Sequence, residues 1–166
     1  NLTRLIEAFG LVSQRGGDYQ LVLAGDQDRF GPSLRARAAE LGLEGKVIFP
    51  GRVSDAELAA LYQGALAYTF VSVAEGFGLP GLEAMAAGVP VLAARATSLP
   101  EVYGDAALYV DPTDTQAIAT GLARIASDEP LRTDLIQKGQ ERLGQFSWRR
   151  MAEQTLEVYR EALSKR

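Results

Sequence analysis

The chain has 166 residues and contains neither cysteine nor histidine. Without cysteine there is no disulfide framework and no thiolate nucleophile. Without histidine there is no Ser-His-Asp triad, no imidazole metal site and no imidazole general base. No apolar stretch approaches the roughly 18 residues of a membrane span, so direct membrane insertion is not expected. The first residues, Asn1-Leu2-Thr3-Arg4, do not read as a signal peptide. Positive charge is sparse as well. The formal net charge is −4, and the basic residues are scattered, with no cluster beyond Trp148-Arg149-Arg150. A nucleic-acid partner, which needs a clustered cationic face, is therefore disfavoured. Carboxylates, hydroxyls and backbone amides are left to do the chemistry, and a cytoplasmic location is expected, membrane-peripheral at most in a full-length protein.

Hydrophobic residues make up 47% of the chain and charged residues 23%, ordinary values for a globular domain large enough to bury a core. The apolar pattern alternates between two kinds of segment. Leu2, Leu5, Ile6, Phe9 and Val12 follow helical spacing behind Asn1, a good N-cap, and Gly16-Gly17 ends that helix. Short apolar runs at residues 20–24, 46–49, 66–73, 89–93 and 107–110 read as strands. Between them, helices are predicted over residues 32–41, 56–63 behind a Ser54/Glu57 capping box, and 80–87, with a turn or short helix from Ser98. Asp114 caps a helix to about Ser127, residues 130–146 are largely helical, and Ser147 caps a last amphipathic helix. This alternation predicts an α/β fold, a Rossmann-like doubly wound parallel sheet with helices on both faces. Ligands in such folds bind at the carboxyl ends of the strands.

The residues that carry chemistry lie at one such end. An apolar run to Val73 leads into Glu75-Gly76-Phe77-Gly78-Leu79-Pro80-Gly81-Leu82-Glu83, which opens a short helix through Ala84-Met85-Ala86-Ala87. Glycines let backbone approach a ligand, and free amides at a helix start favour an anion such as phosphate. A carboxylate at each end accepts hydrogen bonds from neutral hydroxyls. A nucleotide-sugar offers groups in that order: sugar hydroxyls, diphosphate, ribose hydroxyls. If the loop advances as a helix does, eight residues span roughly 12 Å, comparable to that reach.

Glu75 to Gly88, continued through Val89-Pro90-Val91, resembles the signature of group 1 (family 4) retaining glycosyltransferases. Ser98-Leu99-Pro100-Glu101-Val102, Gly104-Asp105-Ala106-Ala107, Asp111-Pro112-Thr113-Asp114 and Phe146-Ser147-Trp148 resemble further blocks of that family in order, and residues 45–57 its base-side segment. The resemblance implies the C-terminal, donor-binding half of a two-domain GT-B enzyme that moves a hexose from a UDP-, GDP- or ADP-type sugar to a glycan or lipid, as in polysaccharide biosynthesis. It implies Glu75 as the catalytic carboxylate beside the sugar. The amides of Gly76, Phe77, Gly78 and Leu79 approach the diphosphate in that scheme, and Glu83 holds the ribose. No metal and no other cofactor is implied.

Family members carry a further strand, a Gly-Arg turn and a lysine before the helix that here begins at Asn1. Residues 1–166 are accordingly expected to form a nucleotide-sugar-binding domain lacking its first strand, with an exposed apolar seam in the sheet. The N-terminal acceptor domain is the expected partner, and the isolated chain is expected to be inactive, with weak nucleotide binding at most. A nucleotide-sugar epimerase or synthase of the same fold, or a non-catalytic nucleotide-binding scaffold, stays open. Individual residues keep blander readings too. Glu75 also fits a solvated helix-capping carboxylate, and Glu83 the polar face of its helix. Phe77 is expected to pack rather than stack on a ligand. Asp26 and Asp28 read as a strand-end turn rather than a metal pair. Arg52 and Val53 flank a base pocket or a plain loop. Ser98 and Glu101 face the donor, the missing domain or only a helix start, and Arg95 is a weak phosphate partner. Trp148 is expected in the core or at a domain edge, with Arg149 and Arg150 on a solvated face.

Overall fold

The computed structural model describes residues 1–26 and 30–164. Asp28, one half of the aspartate pair weighed above, lies outside them. Among the described residues, five strands alternate with helices: α1 (Leu2–Ser13), β1 (Leu21–Ala24), α2 (Gly31–Glu40), β2 (Val47–Gly51), α3 (Asp55–Gly64), β3 (Tyr68–Phe70), α4 (Leu79–Ala86), β4 (Val91–Ala94), α5 (Leu99–Tyr103) and β5 (Ala107–Val110). Three helices follow: α6 (Thr115–Ser127), α7 (Glu129–Leu143) and α8 (Trp148–Ser164). Every strand pair is parallel, as the apolar runs require.

The strands pair in two groups, β1-β2 and β3-β4-β5, rather than in one continuous sheet. β1 and β3 are each bonded on one side only. Val22 of β1 is 39% exposed, and Leu66 and Val73, on either side of β3, are 43% and 50% exposed. The predicted strand over 66–73 shortens to Tyr68–Phe70, because a strand without a partner on one edge has fewer ladder bonds to hold its ends.

Among the described residues, β4 is the only strand buried at every position. Its alternate residues serve two layers. Val91 and Ala93 face Tyr62, Leu82, Met85, Leu99 and Tyr103, while Leu92 faces Leu5, Val12, Ile118 and Ile125. α1 joins the two strand groups. Its Leu5, Ala8 and Val12 pack with α6 and β4, whereas Ile6 and Phe9 pack with Ala38 of α2 and Val47 of β2. Each of these large apolar side chains contributes roughly 1.5–3 kcal/mol on burial, so α1 holds what hydrogen bonds do not.

Asn1 departs from expectation. It occupies the N-cap position but caps nothing. Its Nδ2 donates to the carbonyls of Val71 and Pro112, both at 2.8 Å, and its Oδ1 accepts from Arg4. The side chain thereby ties the start of α1 to the carboxyl end of β3 and to the turn after β5. The other caps form as predicted. Ser54 and Glu57 make a reciprocal capping box, Ser147 Oγ accepts from the Arg150 amide, and Asp114 Oδ1 accepts from the amides of Gln116 and Ala117. Asp114→Ala is expected to destabilise the domain by about 1 kcal/mol, read as a lower urea midpoint at unchanged slope.

Of the two places expected for Trp148, the core is excluded. The residue is 73% exposed, and no residue of α8 is buried. The helix keeps the amphipathic pattern read from the sequence, but its apolar stripe does not reach the core. Among the described residues no helix is long and apolar enough to cross a membrane.

Candidate functional site

Helices α1, α4 and α5 all begin near the carboxyl ends of β3 and β4. The loop from Val71 to Gly78 runs among these starts. Asn1 fixes its first carbonyl, and α4 begins where it ends. Gly78 is the residue that turns the chain. It sits at the N-cap of α4 with φ 98° and ψ 43°, a left-handed conformation that only glycine adopts without strain. No side chain caps α4, Pro80 carries no N–H, and the Gly81 amide turns back to the Gly78 carbonyl at 3.2 Å, so of the first three residues of α4 only Leu79 offers an amide to a ligand.

The two glutamates are placed differently. Glu75 is half-buried in the loop, held by its backbone. Its amide donates to Thr97 Oγ1 at 3.0 Å, and its carbonyl accepts from Ser98 Oγ at 2.9 Å. Glu83 is exposed on α4 between buried Leu82 and buried Ala84, so its carboxylate projects from the polar side of that helix. Tyr62 of α3 stands beside it. The Tyr62 hydroxyl donates to the Pro80 carbonyl at 3.2 Å, and burial together with the Glu83 carboxylate pushes its phenol up to about 12. Glu75 thus belongs to the loop and Glu83 to the helix that follows it.

The floor under the loop is aromatic. Tyr103 of α5 is fully buried, and its hydroxyl donates to the Gly78 carbonyl at 2.6 Å. A Cβ at Gly78 would lie 2.5 Å from that hydroxyl and 2.6 Å from Leu99 Cδ2. At Gly81 a Cβ would fall inside the Tyr103 ring contact altogether, so both glycines are required by close approach. Burial pushes the Tyr103 phenol well up, with the Gly81 amide on its oxygen opposing, and the group stays a donor through the ordinary pH range. Phe77 packs, as expected, edge-on against Phe146 with ring centroids 5.7 Å apart.

Thr97 and Tyr103 were not among the residues singled out in the sequence. Thr97 is the only non-glycine residue with positive φ among those described, at 47°. For a β-branched residue this conformation costs about 1 kcal/mol or more. Nothing in Ala96-Thr97-Ser98 signals it. Ser98 stands at the start of α5, and its hydroxyl donates to the Glu75 carbonyl. Glu101 is exposed, and its carbonyl accepts from Arg142 of α7. Arg95 lies over the Tyr109 ring at 5.0 Å. Arg52 is exposed and Val53 half-buried at the end of β2. No cluster of carboxylates able to hold a metal ion occurs among the described residues. A cleft of about 540 Å³ opens at the start of α1, lined by Asn1, Thr3, Arg4, Glu7, Phe30 and Ser33 among others.

Residues 1–142 match the sequence pattern of the family described as Glycosyl transferases group 1. The chain belongs to that family. Among its relatives, the O-antigen chain mannosyltransferase B of Escherichia coli is 36% identical over 161 residues, which cover 96% of this chain and 42% of that protein. The C-terminal domain of a group 1 family protein, LpcC of Francisella tularensis, superposes with a TM-score of 0.76 at 31% identity, covering 86% of this chain and 77% of that one. HepE of Anabaena, solved in complex with UDP and glucose, superposes at a TM-score of 0.81 and 25% identity, covering 94% of this chain and 44% of that one. This group 1 domain spans less than half the length of the full-length relatives it matches. Its fold is that of the C-terminal domain of GT-B glycosyltransferases.

Proposed function

We propose that this domain is the donor-binding half of a retaining hexosyltransferase that uses a nucleoside diphosphate sugar. The observation that carries the reading is the loop of residues 75–78. It lies beyond the carboxyl end of β3, opens directly into the start of α4, and begins at Glu75, with Glu83 on the helix that follows. The amides of Gly76, Phe77, Gly78 and Leu79 are suited to an oxyanion-rich diphosphate, which needs no net positive charge when backbone dipoles converge on it. Glu83, exposed beside Tyr62, is suited to the paired hydroxyls of a ribose. Glu75 is suited to the sugar, supporting positive charge as it develops at the anomeric carbon.

In this scheme the bond from the anomeric carbon to the diphosphate oxygen breaks, and the acceptor oxygen bonds to the same face of that carbon. The acceptor proton passes to the departing phosphate oxygen. The loop amides stabilise the leaving diphosphate, and no metal takes part. The acceptor site belongs to the portion of the full-length protein outside this domain. A further strand from that portion is suited to the unbonded edges of β1 and β3, near which Val22, Leu66 and Val73 are exposed. By itself the domain has a donor site and no turnover.

Calorimetry with UDP, GDP and ADP, on the domain and on the full-length protein, tests the assignment. One of the three is expected to bind in the presence of EDTA, tighter in the full-length protein. Glu83→Ala is expected to weaken that binding about tenfold, the loss of a charge-assisted hydrogen bond. Binding left intact by Glu83→Ala would sink the ribose assignment, and binding abolished by EDTA would sink the metal-free one.

A further inference from the structure

Three hydroxyls from one short segment hold both ends of the donor loop. Thr97 accepts from the Glu75 amide at 3.0 Å and Ser98 donates to the Glu75 carbonyl at 2.9 Å, so both backbone polar groups of that residue are fixed. Six residues further, Tyr103 donates to the Gly78 carbonyl at 2.6 Å. The segment itself is anchored. Leu99 and Tyr103 are fully buried, and Arg142 of α7 donates to the carbonyls of Glu101 and Val102. We infer that residues 97–103 are the positioning element of the donor site, with Thr97 and Ser98 setting the sugar-end carboxylate and Tyr103 setting the diphosphate amides.

The strain at Thr97 supports this. A glycine would make the same left-handed turn at no cost, but it would supply no Oγ1 for the Glu75 amide. The side chain that strains the turn is the one that bonds the loop. Tyr103 supports it from the other end. Its phenol is fully buried at 0% exposure, yet the hydroxyl is spent on a loop carbonyl rather than on its own helix or sheet. Glycines at 78 and 81 leave the space into which that ring fits. The contacts divide the loop into a sugar end and a phosphate end, each with its own support, and this division makes a split in kinetics the natural readout.

The inference rests on the donor-site reading, and the two fail in different ways. In the full-length protein, Thr97→Val and Ser98→Ala are expected to lower kcat about 10- to 100-fold, the scale of an ångström-sized misplacement of a catalytic group. The Kd of the free nucleoside diphosphate is expected to stay within about twofold of wild type, because the phosphate end keeps its support. Tyr103→Phe is expected to do the reverse, raising that Kd about tenfold, because the Gly78 carbonyl loses its shorter bond and keeps only the one from the Gly81 amide. Thr97→Ser, which keeps the hydroxyl, is expected to restore kcat. Urea unfolding of each variant accompanies the kinetics. If the three variants change kcat and Kd in the same proportion, track only a common loss of stability, or match wild type, the inference is overturned. If wild type binds none of the three nucleoside diphosphates, or Glu75→Gln leaves turnover intact, the donor-site reading fails instead.

Discussion

Glu75→Gln in the full-length protein is expected to lower kcat by about 10²- to 10³-fold, with the donor KM changed by less than about threefold. The magnitude follows from what the substitution removes. The amide keeps the shape of the side chain, and the backbone of residue 75 stays bonded to Thr97 and Ser98, so the loop is not disturbed. Only the negative charge is lost. That charge is nearly neutral toward an uncharged sugar in the ground state and favourable toward the same ring once positive charge builds at its anomeric carbon. An interaction made mainly in the transition state appears in kcat and leaves KM alone. Losing one preorganised electrostatic partner in a closed site costs about 10²–10³ in rate. Steady-state kinetics with the donor bound by wild type, at fixed saturating acceptor, measures both parameters. If KM rises and kcat does not fall, Glu75 is a binding residue, and the assignment of charge support at the sugar is wrong.

Much of this site was legible in the sequence because local rules dictate it. A glycine-bearing loop between an apolar run and a Leu/Ala/Met helix fixes where that helix begins, beyond the carboxyl end of a strand. The spacing from Glu75 to Glu83 then puts one carboxylate in the loop and the other on the helix. The helix ends were equally local. Ser54, Asp114 and Ser147 cap as their residue types predict, because a cap needs partners only three residues away. Where the reading failed, the decisive contact came from far along the chain. Asn1 gave up its capping bond for carbonyls 70 and 111 residues distant. Tyr103 reads as one more apolar helix position, and only the fold brings its hydroxyl beneath Gly78, 25 residues earlier in sequence. Thr97 carries no sign of its left-handed turn. β3 is shorter than its apolar run because ladder bonds, which composition does not report, decide where a strand ends. Trp148 shows the same limit for the last helix. Periodicity says which face is apolar, but not what that face touches.

The same long-range contact sets up the remaining large effect. Gly81→Ala is expected to destabilise the domain by about 1–3 kcal/mol and to weaken nucleoside diphosphate binding more than tenfold. Helix propensity alone points the other way. Residue 81 lies inside α4, where alanine is favoured over glycine by about 0.8–1 kcal/mol. The clash outweighs it. The added methyl falls within overlap distance of Cζ and the hydroxyl of Tyr103, a ring with no exposed surface into which to move. Overpacking of this kind costs about 1–3 kcal/mol after relaxation. Relaxation has two routes. Tyr103 retreats and loses its bond to Gly78, or α4 lifts and takes its first amides with it. Either one spoils the phosphate end of the loop. Shrinking the ring separates clash from propensity. In a Tyr103→Leu background, Gly81→Ala is expected to be neutral or slightly stabilising, with a coupling energy of at least about 1 kcal/mol in the double-mutant cycle. Nucleotide binding is not expected to return, because the hydroxyl that fixes Gly78 is absent from both Tyr103→Leu variants. Urea unfolding of the four proteins, paired with calorimetry, tests both statements. Additive stabilities would show that Tyr103 does not set the size of residue 81, and restored binding would show that Gly78 needs no hydroxyl beneath it.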